Sequence, residues 1–273
     1  MIVLCTGCRS GFGLLIAVTA ARAGHTVYAG LRDLSTKQRL EEASAGLDVI
    51  PVQLDVTDAS QREQVVAAIL EKHGRLDALI NNAGIALGGF QEMVAEDELR
   101  RLFDVNVVAP WALMKCCVPS MRAEGAGIVM NISSMAGRQA MPGLGAYAGS
   151  KFALEGMTEA LRHELRPFGI RVVLVEPGPY KTDIFGRNKR VAAAADEAGP
   201  YIAFQRRMEQ LVEKMEAKMG DPQEVADLCV GLLDEPNPRL RYPLGPGVPA
   251  RIVARRALPF VGYEKLIQRV IGF

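Results

Sequence analysis

"IVLCTGCRSGFGLLIAVTAARAG" occupies residues 2–24, and its reading decides the fold. A short apolar run, "IVLC" (2–5), meets a glycine-rich turn, "TGCRSGFG" (6–13), and an apolar-periodic segment then continues to Gly24. Consecutive apolar residues suit a strand covered on both faces. The segment 12–24 suits a helix that Gly24 closes. Glycines between such a strand and helix let the backbone approach a pyrophosphate. The helix N-terminus adds N–H groups and the positive end of its dipole. Gly7, Arg9, Ser10, Gly11, Phe12 and Gly13 are therefore candidate nucleotide contacts.

The same alternation continues outward. Strands are expected at "TVYAGL" (26–31), "VIPVQLDV" (49–56), "DALINNAG" (77–84), "GIVMNISS" (127–134) and "IRVVLVEPG" (170–178). Helices are expected after an N-cap at Asp58, over roughly 96–123, over 145–166 before Pro167, and over 221–233 with Asp221 as N-cap and Pro222 at the first helical position. This order predicts a single-domain α/β fold: a doubly wound, mostly parallel sheet with helices on both faces, the Rossmann arrangement. Past Pro177 the regularity fails. Residues 183–220 carry an apolar stripe at Phe204, Met208, Leu211 and Met215, which reads as plain helix packing or as a flap over a substrate pocket. Residues 234–273 form a tail rich in Pro, Gly and Arg, expected to wall the substrate pocket or join subunits.

Composition narrows the function. The chain of 273 residues is 49% hydrophobic and 23% charged, ordinary for a globular domain, and its formal net charge of +1 gives no field for nucleic acid. Cys5, Cys8, Cys116, Cys117 and Cys229 show no framework spacing, which argues for reduced thiols. Cys5 and Cys8 form a C-x-x-C without a second pair, and the three histidines are scattered, so no metal site is expected. No targeting segment is visible and no apolar run reaches roughly 18 residues. A cytoplasmic protein is expected. In the tail, Arg251, Arg255, Arg256, Lys265 and Arg269 mix with Ile252, Phe260, Leu266, Ile267 and Phe273. Such a segment can lie on an anionic membrane surface, but packing on the body is the commoner outcome.

The second and third strands choose the nucleotide. Asp55 and Val56 close "LDV", where the carboxylate can accept a hydrogen bond from an adenine amino group. Asn82, Ala83 and Gly84 end strand four beside the cleft; the small residues allow close approach, and Asn81 or Asn82 can lock the turn. Asp33 fits loosely the acidic position that binds a ribose diol, but Arg32 stands beside it. A guanidinium binds a 2′-phosphate bidentately. The balance favours NADP(H), with NAD(H) through Asp33 as the alternative.

"AYAGSKFAL" (146–154) sets Tyr147 and Lys151 one helical turn apart, on one face. A free tyrosine titrates near pKa ~10, and an ammonium about 4 Å away would lower it toward neutrality. The pair reads as an acid/base. Ser134, ending strand five, can hold a substrate oxygen beside Tyr147, and Asn106, in "FDVNVVAP", can bind a water leading to Lys151.

In "TGCRSGFG", "LDVTD", "NNAG", "FDVNVVAP", "NISSMAG", "YAGSK" and "EPGPYKT", in that order over residues 6–182, the chain resembles the short-chain dehydrogenase/reductase family. Its "VYAGLRDL" and the run from "YAGSK" to "PGPYKT" are similar to the 17β-hydroxysteroid and retinol dehydrogenase branches. The resemblance implies Asn106, Ser134, Tyr147 and Lys151 as the catalytic set. It also implies Pro177, Gly178 and Thr182 beside the nicotinamide, and an NADP(H)-linked conversion between a ketone or aldehyde and its alcohol; the apolar flap and tail suggest that this substrate is hydrophobic, of steroid, retinoid or fatty-carbonyl size. A homodimer or homotetramer through the helices near 100–123 and 147–166 is implied as well. Where many NADP(H)-preferring relatives carry a basic residue before the second glycine, this chain has Ser10, with Arg9 one position earlier. The competing class is a nucleotide-sensing or scaffold protein without catalysis, against which the intact set argues.

Overall fold

A computed structural model of the chain describes residues 1–182, 189–192, 199–202, 204, 206–207, 210, 213 and 219–271. Among them, seven strands form one parallel sheet: β1 (Ile2–Thr6), β2 (Thr26–Leu31), β3 (Val49–Gln53), β4 (Ala78–Asn81), β6 (Gly127–Ile132), β7 (Ile170–Pro177) and β9 (Arg241–Leu244). Their spatial order is β3-β2-β1-β4-β6-β7-β9, so the winding reverses between β1 and β4. Two short strands, β5 (Ala86–Gly88) and β8 (Lys189–Val191), pair in parallel apart from it.

Successive side chains of one strand enter opposite cores. Val3 and Cys5 of β1, Ala78 and Ile80 of β4, and Val173 and Val175 of β7 face the core beneath α1 (Gly11–Arg22) and α7 (Gln223–Asp234). Leu4, Leu79 and Val172 face the other core, beneath α3 (Ala59–His73) and α5 (Ala109–Glu124). A strand apolar at every position is what a sheet covered twice requires. Each large aliphatic side chain so buried contributes roughly 1.5–3 kcal/mol.

Element ends follow local chemistry. Asp58 caps α3 through Oδ1, which accepts from Gln61 N at 3.0 Å. α6 (Gly145–Leu165) stops before Pro167, which enters a short 3₁₀ turn. β4 ends at Asn81, because the next residues are clamped to Thr6. α7 starts one residue later than expected: Pro222 precedes the first helical residue, while Asp221 Oδ1 still accepts from Gln223 N at 2.9 Å.

Two features were not foreseen. The expected helix near 96–123 is α4 (Glu96–Phe103), a π-helical turn (Asp104–Val108) and α5 in one continuous run. That run is long and apolar enough to cross a membrane by length and composition, but Leu113, Cys117 and Met121 of its apolar face are spent on the core. The tail is also more than an appendage, since β9 supplies the edge strand beside β7. α8 (Val248–Ala257) and α9 (Phe260–Ile271) follow, with Ile252 and Tyr263 buried and Val253, Phe260, Val261 and Leu266 exposed. In the expected flap, Phe204 is buried against Phe90, and Met208, Leu211 and Met215 lie outside the described residues.

Candidate active site

The carboxyl ends of the central strands open into one cleft of about 670 Å³, at the reversal of strand order where open α/β sheets bind ligands. Its wall includes Gly7, Arg9, Ser10, Gly11, Phe12, Arg32, Asp55, Val56, Asn82, Ala83, Gly84, Ser134, Tyr147, Lys151, Pro177, Gly178 and Thr182. Two expected residues, Gly13 and Asn106, stand behind this wall rather than in it.

The glycine loop is held from below. Thr6 Oγ1 accepts from Asn82 N at 3.0 Å and Ala83 N at 2.9 Å, while Asn82 Nδ2 donates to Thr6 O at 2.8 Å and Gly7 O at 3.3 Å. Asn82 therefore locks the turn. Asn81 turns away and donates to Asn131 Oδ1 at 2.8 Å. Gly7 has φ of +72°, and a Cβ on it would lie 2.9 Å from Ala83 Cα. A Cβ on Gly13 would lie 2.4 Å from Asn82 Nδ2 and from Gly7 O. At the mouth of α1, Ser10 makes no side-chain cap and no acid stands in the first turn. The donors that a helix leaves over at its N-terminus thus meet the cleft without an internal anion. Glycines that admit no Cβ, an uncapped helix end, and Arg9 and Arg32 in the wall fit the phosphates of a dinucleotide.

At the nucleotide's other end, Asp33 and Arg32 both line the cleft. Asp33 Oδ1 accepts from Ser35 N at 2.9 Å and caps a short 3₁₀ turn, and the Ser35 hydroxyl together with that N–H holds the carboxyl below its ordinary range. Asp55 Oδ1 accepts from Thr57 N and Thr57 Oγ1 at 3.0 and 2.7 Å. Burial pushes Asp55 up, but those bonds, aided by Arg32, hold it down.

β6 and α6 bring the other groups together. Ser134 follows β6 and caps the turn Met135–Gly137, its Oγ accepting from Ala136 N at 3.1 Å and donating to Pro177 O at 3.5 Å, and it lines the cleft with Tyr147. Tyr147 and Lys151 are both buried on the inner face of α6. Lys151 Nζ donates to Ile132 O at 2.9 Å and stands 5.9 Å from the Tyr147 ring centroid. The expected phenol near neutrality is not found in the protein alone. Burial pushes Tyr147 up to about 12, against the pull of the Ser134 hydroxyl, and no lowering comes from Lys151 at this separation. Burial also pulls Lys151 down to about 8, opposed by Glu155.

Asn106 sits in the π-helical turn, a deformation often found at functional sites. Its Nδ2 donates to Ile85 O at 2.9 Å and Ser150 Oγ at 3.0 Å, and its Oδ1 accepts from Ile85 N at 2.9 Å. Both amide hydrogens are committed, so a water could use only the second lone pair of Oδ1. The side chain ties the loop after β4 to α6 and is first of all a strut. The sequence reading missed Thr6, Ser150 and Ile85, whose parts are played by one hydroxyl or a backbone amide with no spacing signal.

Comparison with known proteins agrees with this architecture. A family model described as short chain dehydrogenase matches residues 1–193. The uncharacterized oxidoreductase YusZ of Bacillus subtilis is 35% identical over 98% of this chain and 97% of its own. The human 17-beta-hydroxysteroid dehydrogenase type 1 is 36% identical over 88% of this chain and 76% of its own. A solved short-chain dehydrogenase from Streptomyces avermitilis has a TM-score of 0.85 at 35% identity, covering 98% of this chain and 97% of that one. A Burkholderia phymatum enzyme solved with NAD has 0.81 at 28%, covering 94% and 92%. A metagenomic short-chain oxidoreductase solved with NADP has 0.71 at 25%, covering 90% and 97%.

Proposed function

This chain belongs to the short-chain dehydrogenase family of nicotinamide-dependent oxidoreductases, and we propose that it interconverts a hydrophobic ketone or aldehyde with its alcohol, using NADP(H) and Tyr147 as acid/base. The observation that carries the proposal is the convergence of Ser134, Tyr147 and Lys151 on one stretch of the cleft wall.

A phenol pushed up to about 12 keeps its proton at neutral pH and is ready to give it. That suits protonation of a carbonyl oxygen as negative charge develops there. Ser134 holds that oxygen against Tyr147. Lys151, pulled down to about 8, is still mostly an ammonium at neutral pH and stabilises the phenolate once the proton has left. Asn106, bonded to Ile85 and Ser150, fixes the distance between the nucleotide loop and α6. When bound, the nicotinamide supplies or accepts the hydride.

The choice of NADP(H) rests on Arg32 and Arg9 in the wall and on Asp33 being engaged by its own turn. The hydrophobic substrate is supported by Phe90, which stacks on Tyr201 at 4.2 Å and meets Phe204 at 5.0 Å beside a cavity of about 360 Å³. The similarity to a hydroxysteroid dehydrogenase points the same way. The described part of residues 183–220 therefore serves as the substrate wall. The cytoplasm is the proposed compartment, in keeping with five unpaired cysteines.

Tyr147→Phe tests the reading. Wild-type protein is offered NADPH with a panel of hydrophobic ketones and aldehydes, and consumption of the nucleotide is followed. The variant should bind NADPH within a few-fold of wild type yet lose turnover by about 10²–10⁴. A variant that turns over normally sinks the mechanism. A wild-type protein that binds NADPH but reduces nothing across the panel would favour a nucleotide-sensing role.

A further inference from the structure

α6 carries more than Tyr147 and Lys151. Glu155 and Glu159 continue the same stripe at intervals of four residues, so the line Tyr147–Lys151–Glu155–Glu159 runs from the cleft to the surface. Glu155 is 5% exposed on its side chain and shares the Nε of Arg241 with a second buried carboxyl, Glu176 of β7, which is not exposed at all. Two arginines close the cluster. Arg138, from the turn after Ser134, donates to Glu176 Oε1 at 2.9 Å. Arg241 of β9 donates through Nε to Glu155 Oε2 at 2.9 Å, lies 3.4 Å from Glu176 Oε1, and pairs through Nη2 with Glu159. Gly137 makes the passage possible, since a Cβ there would lie 2.9 Å from both Glu155 Cγ and Ser133 Oγ.

One oxygen of each carboxyl, Glu155 Oε1 and Glu176 Oε2, is buried without a hydrogen-bond partner. Two ionised carboxylates in contact repel, and a bond between them requires a proton on one. With one proton between them the pair carries a single negative charge. Together with Glu159 it balances Arg138 and Arg241. Release of that proton adds one negative charge, whose nearest unbalanced counterpart is the Lys151 ammonium one turn away. We propose that Glu155 and Glu176 share one proton and that, once it is released, the pair is the counter-charge that keeps Lys151 an ammonium beside Tyr147, which makes them positioning residues for the reaction. The proposal rests on the catalytic reading of Lys151 given above. It explains why a helix that delivers a buried lysine to the cleft also buries a carboxyl behind it. Burial and Glu155 both push Glu176 up, and Glu155 opposes the desolvation that pulls Lys151 down.

The test needs no substrate. Full-length protein carrying carbon-13 at the lysine ε position is titrated by NMR, the Lys151 signal being assigned from its loss in Lys151→Arg. In Glu155→Gln the Lys151 midpoint should fall by roughly one pH unit, and in Glu155→Asp it should return most of the way. A folded Glu155→Gln protein whose Lys151 midpoint does not move overturns the proposal. Infrared spectra in heavy water give a second arm that holds even where Glu155→Gln fails to fold. Wild type should show a protonated-carboxyl band persisting above pH ~6 that Glu176→Gln lacks, and its absence from wild type overturns the shared proton. In turnover, the alkaline limb of kcat/KM in Glu155→Gln should move down with the NMR midpoint, whereas a merely structural role would lower the amplitude and leave the limb in place. A wild type with no turnover leaves both spectroscopic arms standing and counts against the function proposed above instead.

Discussion

Arg32 follows the last buried residue of β2, Leu31, and its neighbour Asp33 folds back onto Ser35 N at 2.9 Å. A charge-assisted bond from a guanidinium to a 2′-phosphate is worth about 1.5–3 kcal/mol, or roughly ten- to a hundredfold in affinity. Arg32→Ala should therefore weaken NADPH by that factor and leave NADH within a few-fold, as read by titration of nucleotide fluorescence at fixed salt. Tighter NADH than NADPH in the wild type would hand the choice to Asp33 and start the substrate search among alcohols. A second expectation concerns Lys151. Its value falls from 10.5 in the open chain to about 8 in the fold. Between those values the unfolded state binds the extra proton, so this group makes stability rise with pH across that window. Reduction runs the other way, losing the ammonium as pH climbs through about 8. Lys151→Met should flatten the alkaline rise in Tm relative to wild type. Parallel Tm–pH curves for the two proteins would show that Lys151 is not desolvated as described.

At the scale of elements, the glycine loop shows why one substitution has opposite effects in two places. Gly13 lies under Asn82 Nδ2 and Gly7 O, each 2.4 Å from where a Cβ would stand. Gly13→Ala must displace backbone, at a cost of about 1–3 kcal/mol, and should also weaken dinucleotide binding. Gly231 lies exposed inside α7 with open space around it. Gly231→Ala should stabilise by about 0.5–1 kcal/mol through helix propensity alone. Calorimetry of the two variants decides the matter; equal shifts of one sign would mean that the loop yields more easily than its contacts say. The loop, the strands and the Tyr147–Lys151 stripe were legible because each obeys a local period or spacing. β9 was not, since "RYPL" is short, half-buried and held by pairing with β7 rather than by any pattern of its own. The π-helical turn was equally hidden. Its cause is the tie from Asn106 to Ile85 and Ser150, residues 21 and 44 positions away. The high phenol pKa escaped for a related reason, because a four-residue spacing fixes which face Lys151 shares with Tyr147 but not how far its ammonium reaches toward Ile132.

Among the described residues the two faces of the sheet bury large apolar cores, which makes what remains outside informative. α5 buries Leu113, Cys117 and Met121 inward, yet Trp111 is 45% exposed on its outer side and Val108, in the π-helical turn just before it, is 48% exposed. α6 likewise leaves Phe152 and Met157 exposed while Tyr147 and Lys151 face in. A net charge of +1 sets up little repulsion between copies. Large apolar side chains left exposed on two helices of a folded domain mark an association surface more often than a solvated one. We propose a homodimer or homotetramer through α5 and α6. Light scattering after size exclusion should give a mass above that of one chain at micromolar concentration. Trp111→Glu should lower it by placing a charge where an apolar contact is needed, with little change in the Tm of the protomer. Because the contact is apolar, raising salt should leave the assembly intact, whereas assembly through the basic tail would dissolve. A wild type that stays a single chain at tens of micromolar would remove the proposal. It would then leave Trp111, with Lys115 Nζ 4.6 Å above its ring, as an ordinary surface pair.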